Sequence, residues 1–383
     1  MLLSLVMTGC WDRTEINDIA IIMAVSFDLL EDGKMISTYQ IANPTAETGS
    51  PEAKGSRQKF VIITAAGGNV QELLGKSQYQ LSRKIFRAHR KIILIGERLA
   101  EHGIGDLLDS FSRDSNSRIQ PYILVVKGGE GRDILKMNYP LEDVSAEAIR
   151  EMIVMDVGPK ITIRDLITVS SSEGIEPIVG TIKSFSKEDH ADENLNEPAF
   201  RISGAAIIKD LKLSGYLNNE ETRGLQWIRG ELNKKDIKIS IPGTSESVNI
   251  SLSQMRRKIK PVIHGSEIKI NLKLKGKGVI KENDAKLDLF QTKNIKIIEA
   301  ALQNQVNEEI GQIISKAQKK YKADIFGFGD VIHRKFPHQW KSLEKDWDNT
   351  FPKVEIAVTS DLTITSPGII GPPLYLKQDE IIK

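Results

Sequence analysis

The side chain best placed for chemistry is the thiol of Cys10, the only cysteine among 383 residues. It follows an apolar run from Leu2 to Met7 and two small residues, Thr8 and Gly9. An apolar core ending in small residues beside a scissile bond marks an export signal removed by a peptidase. In that arrangement Cys10 takes a lipid and becomes the mature N-terminus. A lone thiol suits modification better than a disulfide, which needs a partner. Only nine residues precede Cys10 and none is basic; a complete signal has a charged segment and roughly 7–15 apolar residues. Met7 also stands where lipoprotein signals most often carry Leu. The expectation is a partial lipoprotein signal over 1–10, with translation starting upstream of Met1.

Other chemistry is sparse. The sequence has no G-x-S-x-G elbow, no H-E-x-x-H, no C-x-x-C and no G-x-x-x-x-G-K-[ST]. With one cysteine, zinc ribbons, iron–sulfur clusters and disulfide scaffolds are excluded. Val126-Lys127-Gly128-Gly129-Glu130-Gly131-Arg132 follows a strand pattern and comes nearest to a phosphate cradle, but Ile134 stands where a third glycine would fall. The expected reading is a strand-to-helix turn that uses Gly for positive φ, since short glycine patterns are weak evidence of a phosphate site. His333 and His338 are five apart with Pro337 between them, which is not the one-face spacing of a helical metal pair. Neither a catalytic residue, nor a metal site, nor a cofactor is expected.

Two further stretches stand out. Arg256, Arg257, Lys258 and Lys260, with Lys269, Lys273, Lys275, Lys277 and Lys281, crowd one segment opposed only by Glu267 and Glu282. This is either a solvated face that discourages edge pairing or a surface that rests on an anionic membrane. Phe326, Phe328, Trp340, Trp347 and Phe351 concentrate aromatics. The helical spacing of the tryptophans favours core packing over a partner patch.

The elements that must carry these residues follow from periodicity. A hairpin is predicted from Asp18–Leu29 and Met35–Ile41, then a strand over Gln58–Thr64 after a polar loop. A helix carries Val70, Leu73, Leu74 and Leu81, and a second one Ile104, Leu107, Leu108 and Phe111. Each is followed by a strand, Lys91–Gly96 and Pro121–Val126, and that order argues for helices packed on a mixed sheet. Helices over Val144–Met155 and Ile163–Ser170 lead to an acidic, apolar-poor stretch from Phe185 to Ala199, read as a linker. Beyond it come a hairpin (Ser203–Ile208, Lys212–Leu217) and a helix near Glu220–Leu232. Strands at Asp236–Ile241 and Ser247–Leu252 precede one long alternating strand over Pro261–Ile280. Leu302, Val306, Ile310, Ile313, Ala317 and Tyr321 define a long amphipathic helix from about Ile295 to Tyr321 lying across that sheet. Pro337 opens a short helix, and a strand over Val354–Ile364 is the last element.

The fold class is therefore α+β and multi-domain: mixed and antiparallel sheets with helices packed on them, and a long amphipathic helix over the C-terminal sheet. The expected division is 11–185, with a submodule break near 140, then 199–370 and a loose tail over 371–383. A net charge of only +2 argues against a dedicated nucleic-acid binder. Nothing after residue 10 approaches the roughly 18 apolar residues of a membrane helix.

Several runs resemble one family. These are Gly9-Cys10-Trp11-Asp12-Arg13-Thr14-Glu15-Ile16-Asn17-Asp18-Ile19-Ala20, Ser82-Arg83-Lys84 with His89, and Glu97-Arg98-Leu99-Ala100. Gly215-Tyr216-Leu217 with Glu221-Thr222-Arg223-Gly224, and Asp324-Ile325-Phe326-Gly327-Phe328-Gly329, come next in order. Ile332-His333-Arg334-Lys335, Pro337, Trp340 and Trp347 complete the set. Spread over nearly the whole chain, they resemble the spore germination Ger(x)C family, the C-subunit lipoproteins of nutrient germinant receptors. The resemblance implies a non-catalytic subunit, acylated at Cys10, on the outer face of the spore inner membrane. Its implied partners are the integral-membrane A and B subunits, and it implies no nucleic acid and no cofactor. A solute-binding lipoprotein would need a cleft with convergent polar groups, and a wall hydrolase a carboxylate pair or a nucleophile. The sequence displays neither.

Overall fold

In a computed structural model, residues 15–43, 59–114, 118–184, 200–242, 246–265 and 267–366 are described. They form two compact units. Of the described residues, those up to 164 and from 180 to 202 belong to the first, and those from 165 to 179 and from 203 to 366 to the second. Cys10, the linker stretch 185–199 and the tail from Pro367 lie outside the described residues.

The first unit opens with β1 (Ile19–Leu29), β2 (Met35–Ala42) and β3 (Phe60–Gly67), followed by α1 (Val70–Gln78) and β4 (Lys84–Phe86). β5 (Ile92–Gly96), α2 (Glu97–His102), α3 (Gly105–Arg113), β6 (Tyr122–Val126), α4 (Gly131–Lys136) and α5 (Ser145–Val154) come next. Through α6 (Ile163–Ser170) the chain passes into the second unit, and along β7 (Ile178–Ser184) it returns. The sheet runs β3-β2-β1-β5-β6-β7, with β4 beside β1. β1, β2 and β3 are antiparallel, while β1, β5, β6 and β7 are parallel.

Parallel strands covered on both faces read as continuous apolar runs, and Ile92-Ile93-Leu94-Ile95 is one, fully buried. Successive side chains point to opposite faces. Ala24, Ile92, Leu94 and Leu124 pack with Ile134 and Leu135 of α4 and with Ile149 and Ile153 of α5. On the other face Phe27 meets Phe111 of α3 edge-on, ring centroids 5.9 Å apart. The short β4 and α2 and the strand β7 were not legible from periodicity. Three and six residues are too few to display a period in β4 and α2, and in β7 Gly180 and Thr181 break up the apolar run Ile178-Val179 and Ile182.

The second unit continues with β8 (Phe200–Lys209), which enters it at Ser203, and β9 (Lys212–Leu217). The loop of this hairpin is Asp210-Leu211. Both loop residues have positive φ, 51° and 59°, the requirement of a type I′ turn. α7 (Asn219–Arg229), β10 (Lys234–Ser240), β11 (Ser247–His264), β12 (Glu267–Asn283) and α8 (Thr292–Lys316) follow, the last prolonged to Tyr321 by a wider helical turn. α9 (Phe328–Lys335), α10 (Pro337–Leu343), α11 (Trp347–Thr350) and β13 (Glu355–Ser366) close it.

The sheet order is β10-β11-β12-β13, antiparallel except for the parallel pair β12 and β13. The single strand expected over Pro261–Ile280 is two, joined at a turn in which Gly265 takes φ +60°. His264-Gly265-Ser266-Glu267 breaks the alternation with a polar run containing glycine, a turn signal that the reading of one long strand passed over. Ile268, Ile270, Leu272 and Leu274 are buried with Leu302, Val306, Ile310 and Ile313 of α8, so the long helix lies over the sheet. α7 has matched start and stop signals. Asn218 and Glu221 form a capping box, and Gly230 ends the helix at φ +75°.

Candidate functional site

Three clusters of residues singled out by sequence have most of their polar groups held by protein partners. The glycine loop 126–132 lies in the first unit. Gly131 N–H donates to Asp28 Oδ1 at 2.6 Å and Arg132 N–H to Asp28 Oδ2 at 3.1 Å. Gly128 N–H donates to Glu97 Oε2 at 2.9 Å, and Arg98 reaches Glu130 at 2.7 Å. The amides that would cradle a phosphate are thus capped by the protein's own carboxylates, which would also repel an anion. Burial pushes the Asp28 carboxyl above its usual range, against hydrogen bonds from Gly131, Ser26 and Arg132. Glycine is required on both sides: a Cβ on Gly131 would lie 2.5 Å from Ser26 Cβ, and one on Gly96 2.2 Å from Asp28 Oδ1. Sequence reasoning missed Asp28, although an acid in the buried run of β1 was the available signal.

In the second unit, Gly215 lies flat against the Tyr321 ring, with room for no Cβ. Tyr321 Oη donates to Tyr216 O at 3.0 Å. Glu221 caps α7 and also accepts from Lys316 of α8 at 2.6 and 2.8 Å. Gly224 lets Ile313 of α8 approach the α7 backbone. The family-like run from Gly215 to Gly224 is therefore the joint that seats α7 and β9 on α8.

The densest cluster surrounds Asp324, only 2% exposed. Its Oδ1 accepts N–H bonds from Phe326, Gly327 and Phe328 at 3.2, 2.9 and 3.2 Å. Its Oδ2 accepts from Gly329 N–H at 2.8 Å and from Trp347 Nε1 at 3.2 Å. Gly327 turns the chain at φ +77°, and Gly329 leaves room for Gly174, whose Cα would be 2.7 Å from an added Cβ. Asp330 N–H donates to Gly174 O, and Glu176 N–H to Asp324 O. Arg229 holds Ile325 O at 2.8 Å and Glu176 O at 3.2 Å. Trp340 Nε1 donates to Glu173 at 2.8 Å, and His333 stacks on Trp340 with centroids 5.7 Å apart. Phe326, Phe328, Trp340, Trp347 and Phe351 are all core residues.

Beside this cluster is a cleft of about 220 Å³ lined by Ser170, Ser172, Glu176, Asp210, Asp324 and Asp348, among others. Burial, with Asp348 and Asp210 adding like charge, pushes Glu176 up to about 7. Burial outweighs the donors around Asp324 and brings it to about 6. Lys209 offsets part of the negative charge through Asp348 at 3.0 Å. Among the described residues no group of three His, Cys, Asp or Glu side chains is placed to hold a metal. Neither Glu173 nor Glu176 was singled out by sequence reasoning, since a glutamate in a Ser/Gly-rich loop carries no pattern.

Fold and site together define an α+β protein whose motif glycines and carboxylates set backbone joints. The chain matches the model for the spore germination protein N-terminal domain over residues 12–184. It matches the model described as spore germination B3/GerAC like, C-terminal, over residues 203–368. It is 28% identical to the spore germination protein YndF of Bacillus subtilis, covering 96% of this chain and 95% of the relative. It is 26% identical to the spore germination protein KC of the same organism, covering 98% and 96%. The crystal structure of the GerBC protein superposes with a TM-score of 0.57 at 21% identity, over 89% of this chain and 96% of that one. The chain belongs to the Ger(x)C family of spore germination proteins, the C-subunit family of germinant receptors.

Proposed function

We propose that this chain is a non-catalytic, lipid-anchored receptor subunit, acylated at Cys10 and held on the outer face of the spore inner membrane. There it acts with the integral-membrane A and B subunits to trigger germination. The observation that carries the reading is the ordered match of both family models over 12–184 and 203–368. Two features agree with it: the motif carboxylates hold backbone amides, and no helix among the described residues is long and apolar enough to cross a membrane. The acidic stretch 185–199 divides an N-terminal domain, 11–185, from a C-terminal one, 199–370.

The test is mass spectrometry of the N-terminal peptide from spore membranes, combined with a Cys10→Ala allele. Expected are a diacylated Cys10, loss of the variant to the soluble fraction after a high-salt wash, and loss of nutrient-triggered germination. A variant that stays membrane-bound after the wash and germinates normally overturns the anchor. Muropeptide release by the purified chain, dependent on one Asp or Glu, overturns the non-catalytic reading.

A further inference from the structure

The outer face of the β10–β13 sheet carries a concentration of positive charge unrelated to the near-neutral balance of the chain. On β12, Lys273, Lys275 and Lys277 point outward, away from the leucines that meet α8. β11 matches them only because of a bulge. Its inward residues are Val248, Ile250 and Leu252 before Gln254, and Ile259 and Pro261 after it. The register slips by one between Ser253 and Arg256, and Gln254 takes φ +51°. A bulge of this kind re-aims every side chain beyond it. Arg256, Lys258 and Lys260 are thereby turned outward, with Arg256 opposite Lys275 and Lys258 opposite Lys273. Arg257 points the other way, with Glu231 and Asp330 among the charges that act on it.

Like charges directly opposite one another weaken a sheet. Edge protection explains only part of them: β11 runs beyond β10 after Ser253, but Lys273, Lys275 and Lys277 lie on β12, which is paired on both sides. β13 supplies a partial answer: Asp361 is shared by Lys273 and Lys275 at 3.2 and 3.1 Å. Among the described residues Arg256, Lys258, Lys260 and Lys277 have no carboxylate at ion-pair distance. At the bulge, Gln254, Arg256, Lys275, Lys277 and Asp361 surround a shallow recess of about 320 Å³. From Lys260, opposite Asn271, to Lys277 the charged strip extends about 20 Å at the usual rise per residue.

We propose that this sheet face docks on a phospholipid surface bearing anionic headgroups. A broad array of cations without a deep pocket complements a broad array of anions. The recess at the bulge admits one phosphate-bearing headgroup. The proposal does not rest on acylation of Cys10, and it is tested without it.

The experiment uses the full chain with Cys10→Ser, sedimented with vesicles of phosphatidylglycerol and phosphatidylcholine or of phosphatidylcholine alone. Retention is expected on the anionic vesicles only, and it falls between 50 and 500 mM salt. Each basic residue near such a surface is worth about fivefold in partition, or about 1 kcal/mol. The variant R256Q/K258Q/K260Q/K277Q should therefore bind at least tenfold more weakly, while K319Q/K341Q/K345Q binds like the parent. Should the quadruple variant misfold, K258Q/K277Q is the second probe, with an intermediate loss. Equal retention on neutral vesicles overturns the proposal. So does an undiminished signal from the folded variants, or capture by soluble polyphosphate with no retention on vesicles.

Discussion

A buried carboxylate is tolerated when its oxygens are saturated with donors, and Asp324 meets that condition with five. The division of donors between its two oxygens makes a sharp prediction. In Asp324→Asn one oxygen becomes an NH₂ group. If it replaces Oδ2, it confronts Gly329 N–H and Trp347 Nε1, neither of which can accept. Each stranded buried donor costs about 1–3 kcal/mol, so the variant should lose about 2–4 kcal/mol in urea unfolding. Trp347 fluorescence should shift as the indole loses its acceptor. A loss below about 0.5 kcal/mol would mean that the carboxylate does not organise this loop. The two oxygens explain why the run Asp324 to Gly329 reads as a unit in the sequence: an acid, then glycines that let four successive amides turn toward it.

At the scale of elements, the α7–α8 joint separates capping from charge. Glu221→Gln keeps a side chain that can complete the capping box but loses the pair with Lys316, and about 0.5–1 kcal/mol is expected for that part-buried pair. Glu221→Ala loses both and should cost about 1–2 kcal/mol. Equal effects in chemical denaturation would show that the capping contact contributes nothing beyond the pair with Lys316. The bulge allows a second test. Deleting Gln254 removes the extra residue and leaves Arg256, Lys258 and Lys260 outward in a plain register, so the second unit should still fold with its melting temperature little changed. Gln254→Gly, by contrast, relieves the positive φ and should stabilise by up to about 1 kcal/mol; circular dichroism melts of the two separate these outcomes. Much of this architecture was legible. β1 and β2 follow from their apolar content, since both faces are buried along much of their length, and α6 and α8 follow from period, since each buries one face. The split of β11 from β12 was marked in sequence only by the short polar run His264-Gly265-Ser266-Glu267 between two apolar-rich stretches. The bulge was hidden because Ser253 to Lys260 carries polar residues at every outward position on both sides of the slip. Of the candidate site, the motif residues were legible as runs. Their roles as joints were not, since Gly215 and Gly224 answer to Tyr321 and Ile313, about a hundred residues away in sequence.

For the molecule as a whole, the titrating groups that matter share one sign. Glu176 is raised to about 7, Asp324 to about 6, and Asp28 and Glu231 are raised as well, each chiefly by burial. A carboxyl whose pKa is higher in the folded state binds its proton more tightly there. It favours folding fully below its unfolded value, and that contribution is lost as pH rises through the folded value. For Glu176 the window runs from its ordinary value of 4.5 to about 7. The groups shifted the opposite way, Asp32, Glu72, Asp109 and Asp361, are exposed and screened. Arg90, lowered to about 10, stays charged throughout the window. The chain should therefore unfold at a higher urea concentration at pH 5 than at pH 8. Glu176→Gln should flatten that slope and raise stability at pH 8 by about 1–2 kcal/mol, after discounting for the part of the carboxylate that water reaches. Unfolding followed by Trp fluorescence at pH 5, 6, 7 and 8 decides it: a native chain that gains stability with rising pH, or a variant with an unchanged slope, removes Glu176 as the source.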